Sequence, residues 1–147
     1  GYKHYEISNF SKEGKICRHN LFCWKLYDYL GFGSSAHSFF NGIRYANYSD
    51  IKTYLEALNN YSDDFKRQEI IILTKKEIER EYFMLGLRLL DGVNMSEFED
   101  RFNCDSKEYL HIMEKLIFNN LIERDGDTFK LTRYGIDYAN QVFVEFI

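Results

Sequence analysis

The sequence predicts an α+β protein with two unlike halves, and three observations carry that prediction. In the first half, apolar residues alternate with polar ones and glycine-bearing turns follow closely, the patterning of strands and hairpins. In the second half, apolar stripes at helical spacing stand behind capping residues. Between the last two stripes lies Asp125-Gly126-Asp127, flanked by short apolar runs in the manner of a hairpin. The resulting order of helix, helix, helix, hairpin, helix is that of a winged-helix-like unit.

Taken in order, Tyr2 to Ser8 reads as a strand with Tyr5 and Ile7 on one face and His4 and Glu6 on the other. His4 and Glu6 could act as a paired acid and base, but a solvated strand face is the simpler expectation. Asn9 to Gly14 reads as a polar loop, and Cys17 to Trp24 as a surface loop anchored by Trp24. Asp28 to Gly33 predicts a short buried strand opening into a glycine turn, and Phe39 to Tyr48 a hairpin about Asn41-Gly42. Ser49-Asp50 caps a helix reaching Asn59, with Ile51, Tyr54, Leu55 and Leu58 on one stripe. The polar stretch Asn59 to Lys66 reads as a connection, dividing the chain into residues 1–66 and 67–147.

Thr74-Lys75-Lys76-Glu77 is a capping box. The helix behind it carries Ile78, Tyr82, Leu85 and Leu89 and is expected to stop at Asp91-Gly92. Asn94 and Glu97 form a second box, for a helix with Met95, Phe98 and Phe102 inward. Asp105 to Glu108 form a third, for a helix burying Tyr109, Met113, Leu116 and Ile117. After the hairpin, Thr132 starts a last helix with Ile136, Ala139, Val142 and Phe143 inward. Lys76, Arg80 and Arg88 read as helix-face charges, and His111 as a surface residue.

Composition limits the function. A hydrophobic share of 45% and an aromatic share of 18% in 147 residues are enough to build a core. The net charge is -4, and around the hairpin Lys115, Arg124, Lys130 and Arg133 are interleaved with Glu108, Glu114, Glu123, Asp125 and Asp127. That balance argues against nucleic acid as a partner and leaves a DNA-binding regulator as a remote alternative. No run approaches the ~18 apolar residues of a membrane span. No basic segment followed by an apolar run opens the chain, so no signal peptide is expected. Cys17, Cys23 and Cys104 have no motif spacing and are expected to be reduced thiols in a cytoplasmic protein. The start at Gly1, with no initiator Met, is expected to mark a fragment or an expressed piece.

Two constellations could carry chemistry. In Cys17 to Trp24, imidazole and thiolate are both competent ligands for haem iron or a metal, and the Trp24 ring offers a flat face. The alternative is an ordinary loop with His19 bonded to backbone. The second constellation is Gly31-Phe32-Gly33-Ser34-Ser35-Ala36-His37, which has the form of a dinucleotide fingerprint. Its context fails, because another turn follows where a long helix is needed. A glycine-lined wall beside some other cofactor, or a plain tight turn, fits better. His37 there could bond a ligand or satisfy a neighbouring carbonyl.

Three blocks in register resemble the oxygen-independent coproporphyrinogen III oxidase family: Tyr5-Glu6-Ile7-Ser8-Asn9-Phe10, Cys17-Arg18-His19-Asn20, and Tyr29 to Ser38. Leu85-Gly86-Leu87-Arg88-Leu89 with Asp91-Gly92-Val93 looks like that family's C-terminal domain. His19-Asn20-Leu21-Phe22-Cys23-Trp24 is most similar to the haem-linked His-Asn-x-x-Tyr-Trp pattern of the family's radical S-adenosylmethionine (SAM) haem chaperones, with Cys23 where Tyr is expected. The resemblance implies the closing strands of a partial (β/α) barrel over residues 1–66, then a winged-helix-like helical C-terminal domain over 67–147. It implies haem at His19, Asn20, Cys23 and Trp24, and SAM or substrate near Gly31, Gly33, Ala36 and His37. It also implies SAM and a four-iron four-sulfur cluster in the full-length protein, held on a Cys-x-x-x-Cys-x-x-Cys triplet that this sequence lacks. The implied partners are a tetrapyrrole, either haem or coproporphyrinogen III, and a haem-acceptor protein. The intact protein is expected to be a haem-binding chaperone, the alternative being a true coproporphyrinogen III dehydrogenase acting by oxidative decarboxylation. No redox turnover is expected of this chain alone, and its open barrel edge, Tyr2 to Tyr48, is expected to pair with another chain.

Overall fold

The computed structural model describes residues 1–59 and 67–147. In chain order the elements are β1 (Lys3–Glu6), β2 (Asn9–Ser11), α1 (Arg18–Trp24), β3 (His37–Phe40), β4 (Ile43–Ala46), α2 (Ile51–Asn59) and β5 (Gln68–Ile72). There follow α3 (Lys75–Gly86), β6 (Val93–Asn94), α4 (Met95–Phe102), α5 (Lys107–Phe118), β7 (Ile122–Asp125), β8 (Thr128–Leu131), α6 (Arg133–Asp137), α7 (Ala139–Phe143) and a closing 3-10 turn, Val144–Phe146. The fold class is α+β, as the sequence predicts. Every strand pair among the described residues is antiparallel.

Two compact units form. One joins Gly1–Leu26 to Glu79–Ile147, and the other is Tyr27–Ile78. The expected connection and boundary at Asn59 to Lys66 fall on residues 60–66, outside the described residues. The first unit is discontinuous because β1 pairs with the chain after α3. The Ile7 amide donates to the Arg88 carbonyl at 3.1 Å, and the Leu90 amide to the Tyr5 carbonyl at 3.1 Å.

The core of the discontinuous unit is aromatic. Phe83 lies 4.5 Å from Phe98 and 4.6 Å from Tyr109, centroid to centroid. Phe83, Phe98, Tyr109, Met113 and Leu116 are essentially inaccessible to solvent, and each such side chain contributes about 1.5–3 kcal/mol through burial. The Tyr109 hydroxyl donates to buried Glu79 at 2.9 Å. β6, β8 and β7 form one sheet with β8 central, completing the winged-helix-like arrangement. In the β7–β8 wing the cations are already engaged: Arg124 sits 3.6 Å from Asp127, and Lys130 sits 3.3 Å from Glu123.

In the second unit β3, β4 and β5 form an antiparallel sheet in that order. The Asn41-Gly42 turn closes the β3–β4 hairpin as expected, with both residues at positive φ. Asp50 caps α2, accepting from the Thr53 amide at 2.8 Å. The Thr74 box is also complete: the Thr74 amide donates to Glu77 at 2.7 Å, and the Glu77 amide donates back to the Thr74 hydroxyl at 3.3 Å.

Several expectations are corrected. Asn9–Ser11 is a strand, because its backbone pairs with β1 in a hairpin. Cys17 to Trp24 is helical over Arg18–Trp24. Asp28 to Gly33 is not a strand but meets β3 through a single bridge, Tyr29 to Phe39. The Ile51 and Leu55 stripe of α2 is exposed, whereas Gln68–Ile72 forms a strand that no alternation in the sequence announces. α3 stops at Gly86, and the residues beyond it turn so that Leu87 and Leu89 are buried. Ser106 makes no capping bond to α5; its hydroxyl bonds Glu99 instead. Ile117 is exposed. The last helix breaks at Tyr138 into α6 and α7.

Candidate functional site

The first candidate site is α1 and what holds it. The helix has no side-chain cap and no buried residue, so tertiary ties must fix it. One tie starts at Glu6, which is fully buried rather than solvated. Its carboxylate accepts from the Ser8 amide at 3.0 Å, the Ser8 hydroxyl at 3.1 Å and the Asn9 side-chain amide. Arg88 donates its Nε to Glu6 Oε1 at 2.8 Å and places a terminal nitrogen 2.7 Å from the same oxygen. The Arg88 guanidinium stacks 4.5 Å above the Trp24 ring of α1. From the other side, Asn20 of α1 approaches the Asn9 side-chain oxygen at 3.4 Å. Asn20, Asn9, Glu6, Arg88 and Trp24 therefore close a ring of contacts that begins and ends on α1.

A second tie comes from Arg101 of α4, which donates to the Lys25 carbonyl at 2.7 Å and to that of Leu26. Burial alone pushes the Glu6 carboxyl upward, but the Asn9 and Ser8 hydrogen bonds and the Arg88 charge outweigh it, so its pKa lies below the ordinary 4.5.

This scaffold leaves His19 exposed on α1. His19 Nε2 lies 3.9 Å from Cys23 Sγ, one helical turn on. Burial first, then the nearby Cys17, raises the Cys23 pKa above its ordinary 9.0. Trp24 is half-buried, its indole Nε1 is inaccessible and without a hydrogen-bond partner, and one ring face is covered by Arg88. The same unit exposes Phe10 and Phe22. His4 stacks on Phe10 at 4.2 Å and places its Nε2 3.0 Å from the Ile7 carbonyl, so it and Glu6 do not form an acid–base pair.

The glycine turn belongs to the other compact unit. A Cβ on Gly31 would collide with the His37 carbonyl, and Gly33 adopts a φ of +101° that other residues avoid. The glycines are thus required by the turn itself. Their amides are also committed: Gly31 donates to the Ser38 hydroxyl at 2.9 Å, and Gly33 to the Tyr54 hydroxyl at 3.2 Å. Buried Asn47 spans the turn, donating to the Gly31 carbonyl at 3.2 Å and the Gly33 carbonyl at 2.9 Å. A loop whose glycine N–H groups are spent internally is not a phosphate cradle, so the nucleotide reading fails on geometry as well as context. Ala36 is half-buried, its amide 3.4 Å from the Gly33 carbonyl and its carbonyl accepting from the Asn47 amide at 2.9 Å. His37 is exposed at the start of β3.

Among the described residues no group of three or more His, Cys, Asp or Glu side chains could hold a metal, so an iron–sulfur cluster does not fit the residues present. Cys17, Cys23 and Cys104 form no disulfide among the described residues. No helix among the described residues is long and apolar enough to cross a membrane.

Residues 73–138, which include the winged-helix-like elements, match the HemN C-terminal domain. Over those residues the chain is similar to that family. Over its whole length it is 35% identical to the heme chaperone HemW of Lactococcus lactis and 32% identical to that of Bacillus subtilis, covering 38% of each of those proteins. It therefore spans well under half the length of the curated relatives it matches. Its fold is shared with a solved structure described as coproporphyrinogen III oxidase (HemN) from Escherichia coli, a radical SAM enzyme. The match has a TM-score of 0.72 at 17% identity and covers 99% of this chain and 37% of that one.

Sequence reasoning missed four residues that shape the two candidate sites. Arg88 is a buried-pair partner and a stacking cap on Trp24, not a helix-face charge. Asn47, Ser38 and Tyr54 hold the glycine turn. The only local signal for any of these was polar donors at Ser8 and Asn9 directly after Glu6.

Proposed function

We propose that this chain is the C-terminal part of a radical SAM protein of haem metabolism whose intact form is a haem-binding chaperone. Haem is its cargo, taken at α1. The observation that carries this reading is an exposed imidazole on a short helix that buried polar groups hold in place from behind. His19 Nε2 supplies the lone pair for the iron. Asn20 and Trp24 hold the helix, and Cys23 lies beside the ligand at 3.9 Å. The names of the full-coverage relatives support the same cargo.

The remainder of the proposal follows from the family. Residues 1–66 would be the edge of a barrel whose other strands, SAM site and iron–sulfur ligands lie in sequence this chain does not contain. The turn from Gly31 to His37 would face SAM or substrate there. A haem-acceptor protein would be the partner, in the cytoplasm. Oxidative decarboxylation of coproporphyrinogen III is less favoured, because the oxidase structure shares the fold at only 17% identity and supports no transfer of its reaction.

Haem titration of this chain tests the cargo reading. A saturable Soret shift at one haem per chain is expected, lost in His19→Ala and retained in His111→Ala, whose imidazole is exposed on α5. A His19→Ala variant that binds haem as the parent does would refute the assignment.

A further inference from the structure

His19 and Cys23 present two soft donors to one point in space, and their spacing suits a bare cation better than a porphyrin iron. A tetrahedral zinc-class ion takes sulfur at about 2.3 Å and imidazole nitrogen at about 2.0–2.1 Å, which sets the two donors roughly 3.6 Å apart. The observed separation is 3.9 Å with nothing bound. The two residues are one helical turn apart, so small rotamer adjustments close the difference. A haem iron cannot use both donors at once. Its axial ligands lie on opposite faces of a wide macrocycle, and two side chains rising from one face of one helix leave no room for that plane between them. On α1, haem takes one ligand and a bare ion takes two.

We propose that His19 Nε2 and Cys23 Sγ form a two-ligand site for a soft divalent cation of the zinc class. Binding displaces one proton, from the Cys23 thiol, while neutral His19 donates its Nε2 lone pair and keeps its other nitrogen protonated. No third His, Cys, Asp or Glu completes the set among the described residues, so the ion keeps two positions for water or an incoming donor. The ion and haem would use the same Nε2 lone pair of His19, so the two occupants compete for this helix face.

The test is Co2+ titration of the reduced 147-residue chain, followed by optical absorption. The expected result is a thiolate-to-cobalt charge-transfer band in the near ultraviolet with visible bands of tetrahedral intensity. These should saturate at one Co2+ per chain and be displaced by one equivalent of Zn2+. Cys23→Ser should abolish the charge-transfer band, His19→Ala should weaken Co2+ binding at least about tenfold, a lost ligand being worth 1.4 kcal/mol or more, and Cys17→Ser and Cys104→Ser should leave both unchanged. Absence of the band in the parent chain overturns the proposal. So does a band that survives Cys23→Ser, or one lost in Cys17→Ser. A haem titration on the same samples separates the two readings, since haem binding that persists in Cys23→Ser leaves the cargo assignment standing whatever cobalt does.

Discussion

Glu6 is a carboxylate with no exposed surface, held ionised by Asn9, Ser8 and a two-point contact with Arg88. Removing one partner of such a pair strands the other in a low-dielectric site, which typically costs about 3–5 kcal/mol. Arg88 retains 26% side-chain exposure, so Arg88→Ala is expected at the low end, about 3 kcal/mol, measured by urea unfolding. The pH dependence has a definite sign. The folded pKa lies below the ordinary 4.5, so the stabilisation is complete above that value and fades as pH falls through the lowered folded value. Between about pH 6 and roughly pH 3.5 the parent chain should lose more stability than Glu6→Gln; equal losses would show that Glu6 carries none of the acid sensitivity. His4, two positions from Glu6 and read as its possible partner, is turned instead toward the Ile7 carbonyl.

Among the elements, those fixed by local chemistry were legible in the sequence. The Thr74 box closes in both directions, and Thr74→Ala should cost about 1 kcal/mol of thermal stability, read by circular dichroism; no change would mean that the start of α3 is held by packing alone. The Asn41-Gly42 turn and the β7–β8 hairpin were legible for the same reason. What sequence reasoning could not reach was held from afar. α1 has neither a cap nor a buried face, and its helical state rests on Arg88 and Arg101, both distant in sequence, and on Asn9 of the preceding hairpin. β5 is a strand because β4 supplies its hydrogen bonds, while its own Ile run alternates with nothing. At the start of α5 the Asp105 carboxylate accepts from the Lys107 amide at 2.9 Å, while Ser106 turns its hydroxyl to Glu99 across a gap of seven residues. The site suffered in the same way. The pairing of His19 with Cys23 depends on helical spacing that a loop reading conceals, and the role of Arg88 depends on a residue 82 positions away.

At the scale of the whole molecule, the Tyr27–Ile78 unit leaves much apolar surface uncovered. Ile70, Ile71 and Ile72 are 58%, 51% and 75% exposed on β5, which among the described residues is an edge strand of its sheet. Such edges recruit other strands. Gel filtration should show the chain eluting larger than a monomer, with Ile71→Lys moving it toward monomer; a strictly monomeric parent would rule out pairing through this edge. The discontinuous unit has a different consequence, one that concerns time. Glu6 and Arg88 are separated by 82 positions, and a ribosome adding about 5–20 residues per second takes roughly 4–16 s to cross that interval. Through most of it, the nascent segment bearing His19 and Cys23 has been made but lacks the guanidinium that fixes its hairpin, so α1 acquires its scaffold only after Arg88 has been added.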